Sequence, residues 1–250
     1  MERSFPGIDG FFTSPAKSNS HQKLIDFVIE FWHNDCVSSL SLAKFTEKYS
    51  KFCKKNRYNF DEKTAAEIHA MSCENLTTMI KNDVTKMLVA DAAKHVLTIS
   101  IRVEKLRSET IRLAKLLPEY GTVIALYGVG ETIAAKLMGE AGDVRRFESK
   151  RSIVAYAGVD PGKDDSGKKV SISGKISRSD DALLRKAAYQ AVECYLLNSP
   201  ADEPVYQFLD KKRSEGKNFY VYMTAACNKF LRIYYACVKE FLDSLDSENA

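Results

Sequence analysis

The 250-residue chain has no Cys-x-x-C pair, no histidine after His95 and no glycine between Gly10 and Gly121. Each absence excludes something. The six cysteines (Cys36, Cys53, Cys73, Cys194, Cys227 and Cys237) are scattered. They form neither a zinc site nor a disulfide frame, and read as reduced thiols of a cytoplasmic protein. The four histidines, His21, His33, His69 and His95, lie far apart without metal-ligand spacing. A Ser-His-Asp hydrolase centred in the second half is therefore ruled out. No apolar run reaches the roughly 18 residues of a membrane span. The start, Met1-Glu2-Arg3-Ser4-Phe5-Pro6, lacks the basic and apolar regions of a secretory signal.

What is present is unevenly spread. The formal net charge is only +4. Between Arg145 and Gln190, eleven basic residues face six acids, leaving +5 in 46 residues and −1 over the other 204. Nine of the twelve glycines lie between Gly121 and Gly174. Two halves with different backbone demands follow, and the basic, Gly-rich one suits an anionic partner.

Residues 1–20 read as an irregular lead-in. The apolar spacing Leu24, Ile25, Phe27, Val28, Phe31, Trp32 predicts a helix over 21–34, and 39–56 predicts a second. From Asp61 to Leu117 there is no Gly or Pro, so no helix stop. Within that stretch Val84, Leu88, Ala92, His95, Ile99, Val103, Leu106, Thr110, Leu113 and Leu117 recur at a mean step of about 3.67. This predicts a long coiled-coil-like arm that pairs with another helix, making the chain a homodimer or higher assembly. Asp61 is the expected cap of the arm. Asp83 and the polar positions His95 and Thr110 interrupt the seam. Ordinary helices packed on one core are the alternative.

Pro118 ends the arm. A compact helical module then runs to about residue 240, with helices over 131–140, 152–156, 180–198, 202–213 and 219–244 and a β-like stretch at Lys169–Ile176. Its first chemical feature is Tyr127-Gly128-Val129-Gly130-Glu131-Thr132, a Gly-x-Gly turn entering a helix. It has the helix-hairpin-helix pattern, in which glycines let backbone amides meet a DNA phosphate. Gly128, Gly130 and Lys136 are its candidate contacts; a plain tight turn is the alternative. Dinucleotide binding fails, because the third glycine would fall on Ile133. The second feature is Gly162-Lys163-Asp164-Asp165-Ser166-Gly167-Lys168-Lys169. It falls short of a phosphate loop because Lys169 replaces the metal-binding hydroxyl residue. Ser166 remains a candidate nucleophile, with Lys168, Lys169, Lys175, Arg178 and Arg185 as candidate phosphate contacts. A solvated turn is the bland reading of the same residues.

The run Arg146-Phe147-Glu148-Ser149-Lys150-Arg151-Ser152-Ile153-Val154-Ala155-Tyr156-Ala157-Gly158-Val159-Asp160-Pro161 completes the pattern. With the Tyr127–Gly130 turn, with Ser166-Gly167-Lys168, with Ile176-Ser177-Arg178 and with Leu184-Arg185, it resembles the C-terminal domain of the insertion-sequence 110 transposase family. That family, with its 116 and 902 relatives, is akin to the Piv DNA invertases. The ordered matches span roughly 118–240; the one departure is the missing Gly near Asp180.

The resemblance implies a transposase or site-specific recombinase that cleaves and rejoins DNA through a serine nucleophile, here Ser166. It implies an RuvC-like domain with an Asp-Glu-Asp-Asp site for divalent metal, and in some members a structured guide RNA. No segment of 1–60 alternates like a strand and no acid set fits that metal site. The chain is therefore expected to be the rear part of a transposase, with no cofactor of its own; Mg²⁺ would come with the RuvC-like domain. The expected fold is mainly α: 1–60 a helical lead-in, 61–117 the dimerising arm, 118–245 the serine transposase domain. The rival reading is a catalytically inactive nucleic-acid-binding remnant acting through its arm and turn.

Overall fold

A computed structural model describes residues 3–12, 22–160 and 181–248. Among them every regular element is helical, as the mainly α reading expected. The β-like stretch 169–176 lies outside the described residues. The chain divides into two compact units, Met1–Leu106 and Arg107–Ala250.

The first unit holds a 3-10 turn (Ile8–Phe12), α1 (Gln22–Glu30), α2 (Asp35–Ser38), α3 (Leu42–Lys55), α4 (Glu62–Glu74) and most of α5 (Asp83–Ala114). Its core is aromatic. The Phe27 ring is fully buried and meets Phe5, Phe12, Phe31, Tyr49 and Phe52 with centroids 4.8–6.1 Å apart. Such tilted and edge-on pairs add to the area they bury. Phe5, Ile8 and Phe12 are buried, so part of the expected irregular lead-in is core. All six cysteines are free thiols.

The expected arm over 61–117 is two helices. Asp61 caps α4, accepting from the Lys63 and Thr64 amides. The helix then stops at Glu74 with neither Gly nor Pro, because neighbouring residues seize its end. Asn34 Nδ2 donates to the Ser72 carbonyl at 2.6 Å and Asn75 Nδ2 to that of Pro6 at 3.0 Å. Asn75 itself is extended. His33 Nε2 bonds the Met79 carbonyl at 3.0 Å. The chain re-enters a helix where Asn82 Oδ1 accepts from the Thr85 amide at 2.8 Å. Helix α5 has 32 residues, about 48 Å at 1.5 Å per residue. Val89 and Ala93 bury against the first core. The seam positions Val84, Leu88, Ile99, Val103 and Leu113 stay 49–59% exposed.

The second unit contains α6 (Tyr120–Ile124), α7 (Glu131–Ala141), a 3-10 turn (Val144–Arg146), α8 (Lys150–Tyr156), α9 (Ala182–Asn198), α10 (Pro204–Ser214) and α11 (Phe219–Glu248). Helix α11 is the axis, packing on α6, α8, α9 and α10, while α7 packs on α9. Leu137, Leu184, Phe230 and Tyr234 are fully buried between them. Pro204 stands at the first position of α10, where its missing N–H costs nothing.

Candidate nucleic-acid interface

The turn between α6 and α7 separates the roles of its two glycines. Gly128 has φ +77°, and a Cβ there would lie 2.5 Å from the Ala191 carbonyl oxygen on α9. Its glycine is required by backbone sign and by packing together. The Tyr127 ring lies tilted against Tyr195 with centroids 4.9 Å apart, and Val129 is buried, so the turn is clamped onto α9. Gly130 is the exposed N-cap of α7, and an added Cβ there would meet nothing within 4 Å. Its carbonyl accepts from the Ile133 and Ala134 amides at 2.9 Å, and among the described residues no side chain caps the helix. First-turn amides are thus open toward an anion, with the helix dipole behind them. Glu131 would repel such an anion, but Lys115 pairs with it.

Lys136 follows on the same helix, half-buried, its Nζ donating to Gln190 Oε1 at 2.9 Å. Burial, then the charges of Lys186 and Arg107, push its pKa below the ordinary lysine value. Two cations beside one partly desolvated ammonium form a local positive field that an approaching phosphate would relieve. Lys186 lies in the basic segment of the sequence but was not singled out there as a contact. Arg107 carried no local signal, being 29 residues from Lys136.

The Arg146–Asp160 run proves to be a structural corner. The Arg146 guanidinium lies 4.5 Å from the Phe147 ring centroid and 4.7 Å from that of Tyr156, and its Nε donates to the Ala141 carbonyl at 2.9 Å. Tyr235 Oη donates to the Phe147 carbonyl at 2.9 Å, tying the corner to α11. Ser149 caps α8 through the Arg151 amide. Gly158, at φ +62°, turns the chain after α8.

Ser166, Lys168, Lys169, Lys175 and Arg178 lie outside the described residues. The chain on either side of 161–180 is described, and the two flanks meet. The Asp181 amide donates to the Tyr156 carbonyl at 2.8 Å. Arg185 donates to the Ala157 carbonyl, also at 2.8 Å, so one of its five N–H donors is engaged in closing the flanks. Asp181 Oδ1 accepts the Leu183 and Leu184 amides at 2.7 and 2.8 Å and caps α9. Beside it stands Glu140, absent from the sequence reading. Burial, then the charge and hydrogen bond of Asp181, raise its pKa. Among the described residues no group of three or more His, Cys, Asp or Glu could hold a metal ion.

Residues 122–207 match the model of the family described as Transposase IS116/IS110/IS902 family. The resemblance read from the Tyr127–Gly130 turn and the Arg146–Pro161 run is borne out in this stretch, from the turn through α9 into α10. Over this part the chain is similar to that family's domain. No curated protein matched the sequence. No helix among the described residues is long and apolar enough to cross a membrane.

Proposed function

We propose that the chain is the DNA-handling C-terminal part of an insertion-sequence transposase. The family match over 122–207 carries this reading. It is supported by the open amides of α7 and the crowding of Lys186 and Arg107 around Lys136. DNA phosphates sit on the α7 entrance and Lys136, a mode of contact that positions a duplex without reading its bases. Ser166 is the nucleophile. Its Oγ attacks a phosphodiester, a serine–phosphate ester forms as a P–O bond breaks, and the serine proton ends on the departing oxygen. Attack by a new strand-end hydroxyl restores the serine and rejoins the DNA. Lys168, Lys169, Lys175, Arg178 and the remaining donors of Arg185 neutralise the developing charge. A structured guide RNA, if the element encodes one, binds the same basic half.

The exposed seam of α5 is the surface for a second copy. Val84, Leu88, Ile99, Val103 and Leu113 form an apolar stripe left exposed along α5. An uncovered stripe this long is stabilised by pairing with its like.

The test is Ser166→Ala in the complete transposase. Strand cleavage and the covalent protein–DNA adduct should vanish while DNA binding persists. Recombination at the unchanged rate would overturn the serine assignment. Binding by the unchanged chain without cleavage in any context favours the inactive-remnant reading.

A further inference from the structure

We propose that α3 carries a second phosphate-binding face, for the backbone of duplex DNA, remote in sequence from the transposase-family domain. The inference rests on the DNA-binding reading and extends it to the first unit. Between Leu42 and Arg57 stand Lys44, Lys48, Lys51, Lys54, Lys55 and Arg57 against the single acid Glu47, a charge of +5 in 16 residues. That equals the excess of the 46-residue basic segment, yet it vanishes in a whole-chain sum because acids elsewhere cancel it.

The fold gathers these charges. Lys48, Lys51 and Lys55 are spaced by three and four residues, so they share one face of α3 over about 10 Å. Together with Lys81 they line a groove of about 460 Å³. Lys81 comes from the stretch between α4 and α5 and is held there by its bond to the Asp35 carbonyl at 3.3 Å. Lysines in a last helical turn, such as Lys54 and Lys55, are explained by the helix dipole. Lys48 and Lys51 lie earlier in the helix and need another reason.

The acids nearby leave the face positive. Lys51 meets Glu47 at 2.6 Å and Lys55 meets Glu30 at 3.8 Å, with all four side chains more than half exposed. Exposed pairs of this kind are worth little and exchange readily for a phosphate. Phe31 and Phe52 line the groove but are 5% and 4% exposed. The groove thus presents point charges without a stacking platform. Single-stranded nucleic acid is held by aromatic stacking; a duplex backbone needs only cations.

The experiment is fluorescence anisotropy of the intact chain with a short duplex of arbitrary sequence, titrated with KCl. The Lys48→Gln, Lys51→Gln, Lys55→Gln triple variant should lower the salt slope of log K by about 2.7, at roughly 0.9 per lost phosphate contact. The matching Lys→Arg triple variant should keep the slope, and both should melt like the parent because the three side chains are exposed. An unchanged slope in the Gln variant, with Lys136→Gln still lowering it, overturns this inference alone. No duplex binding by the unchanged chain overturns both it and the reading it rests on. Selective loss of single-stranded RNA binding, with duplex binding intact, also overturns it.

Discussion

Gly128 on the α6–α7 turn sits so close to Ala191 on α9 that a single added carbon would come within 2.5 Å of the Ala191 carbonyl oxygen. The turn is therefore seated on the domain core, and its geometry is set by α9 as much as by its own glycines. Gly128→Ala should destabilise the chain by about 3 kcal/mol or more, combining a left-handed φ with overpacking against backbone. Gly130→Ala should cost under about 1 kcal/mol, the difference between glycine and alanine as an N-cap. Urea unfolding of the two variants decides it; equal midpoints would refute the seating of the turn.

On the proposed reading, Lys136 links that turn to DNA. Lys136→Gln should reduce the salt slope of duplex binding by about 0.9, the contribution of one phosphate contact. Its effect should be similar for unrelated sequences, since a phosphate contact carries no base information. A loss of affinity confined to one DNA sequence would contradict the assignment.

The Glu140–Asp181 pair makes stability pH-dependent. Glu140 holds its proton above the ordinary value of 4.5, through burial and then the Asp181 charge. In the window from 4.5 up to the raised value the native state keeps a proton that the unfolded chain has lost, so stability falls as pH rises. Below 4.5 both states are protonated and the cost disappears. Glu140→Gln should therefore melt higher than the parent at pH 7, with the gap closing as pH falls toward 4.5. A gap that widens on acidification would show that Glu140 is stabilising as a carboxylate.

The α5 seam predicts a change of mass. Replacing Ile99 and Val103, 57% and 50% exposed, by lysine should shift the chain toward monomer in sedimentation velocity. Helicity should be nearly unchanged, because neither side chain is buried in its own unit. A parent that is monomeric at all concentrations removes the need for the seam.

The helices were legible locally. Apolar spacing placed α1, α3, α7 and α9–α11 to within a few residues, because an amphipathic face is written at helical period. The irregular reading of residues 1–20 left burial open for a physical reason: turn residues set backbone shape and say nothing about whether Phe5 and Phe12 find a core. The candidate interface was partly legible. Gly128, Gly130 and Lys136 stand on one described turn and helix, but the crowding of Arg107 on Lys136 joins residues far apart in the chain.

By itself the sequence determined the helical class, the apolar seam of α5 and the family pattern running through residues 122–207. Periodicity, caps and motif order are properties of neighbours along the chain. Tertiary structure alone decided the rest. It broke the Gly- and Pro-free stretch at 75–82, where Asn34 and Asn75 side chains capture backbone groups across the first unit. It made Gly128 a packing glycine against Ala191, and it drew Lys48, Lys51, Lys55 and Lys81 to one groove. Each is a contact between distant residues, and its energy depends on a distance that no local pattern records.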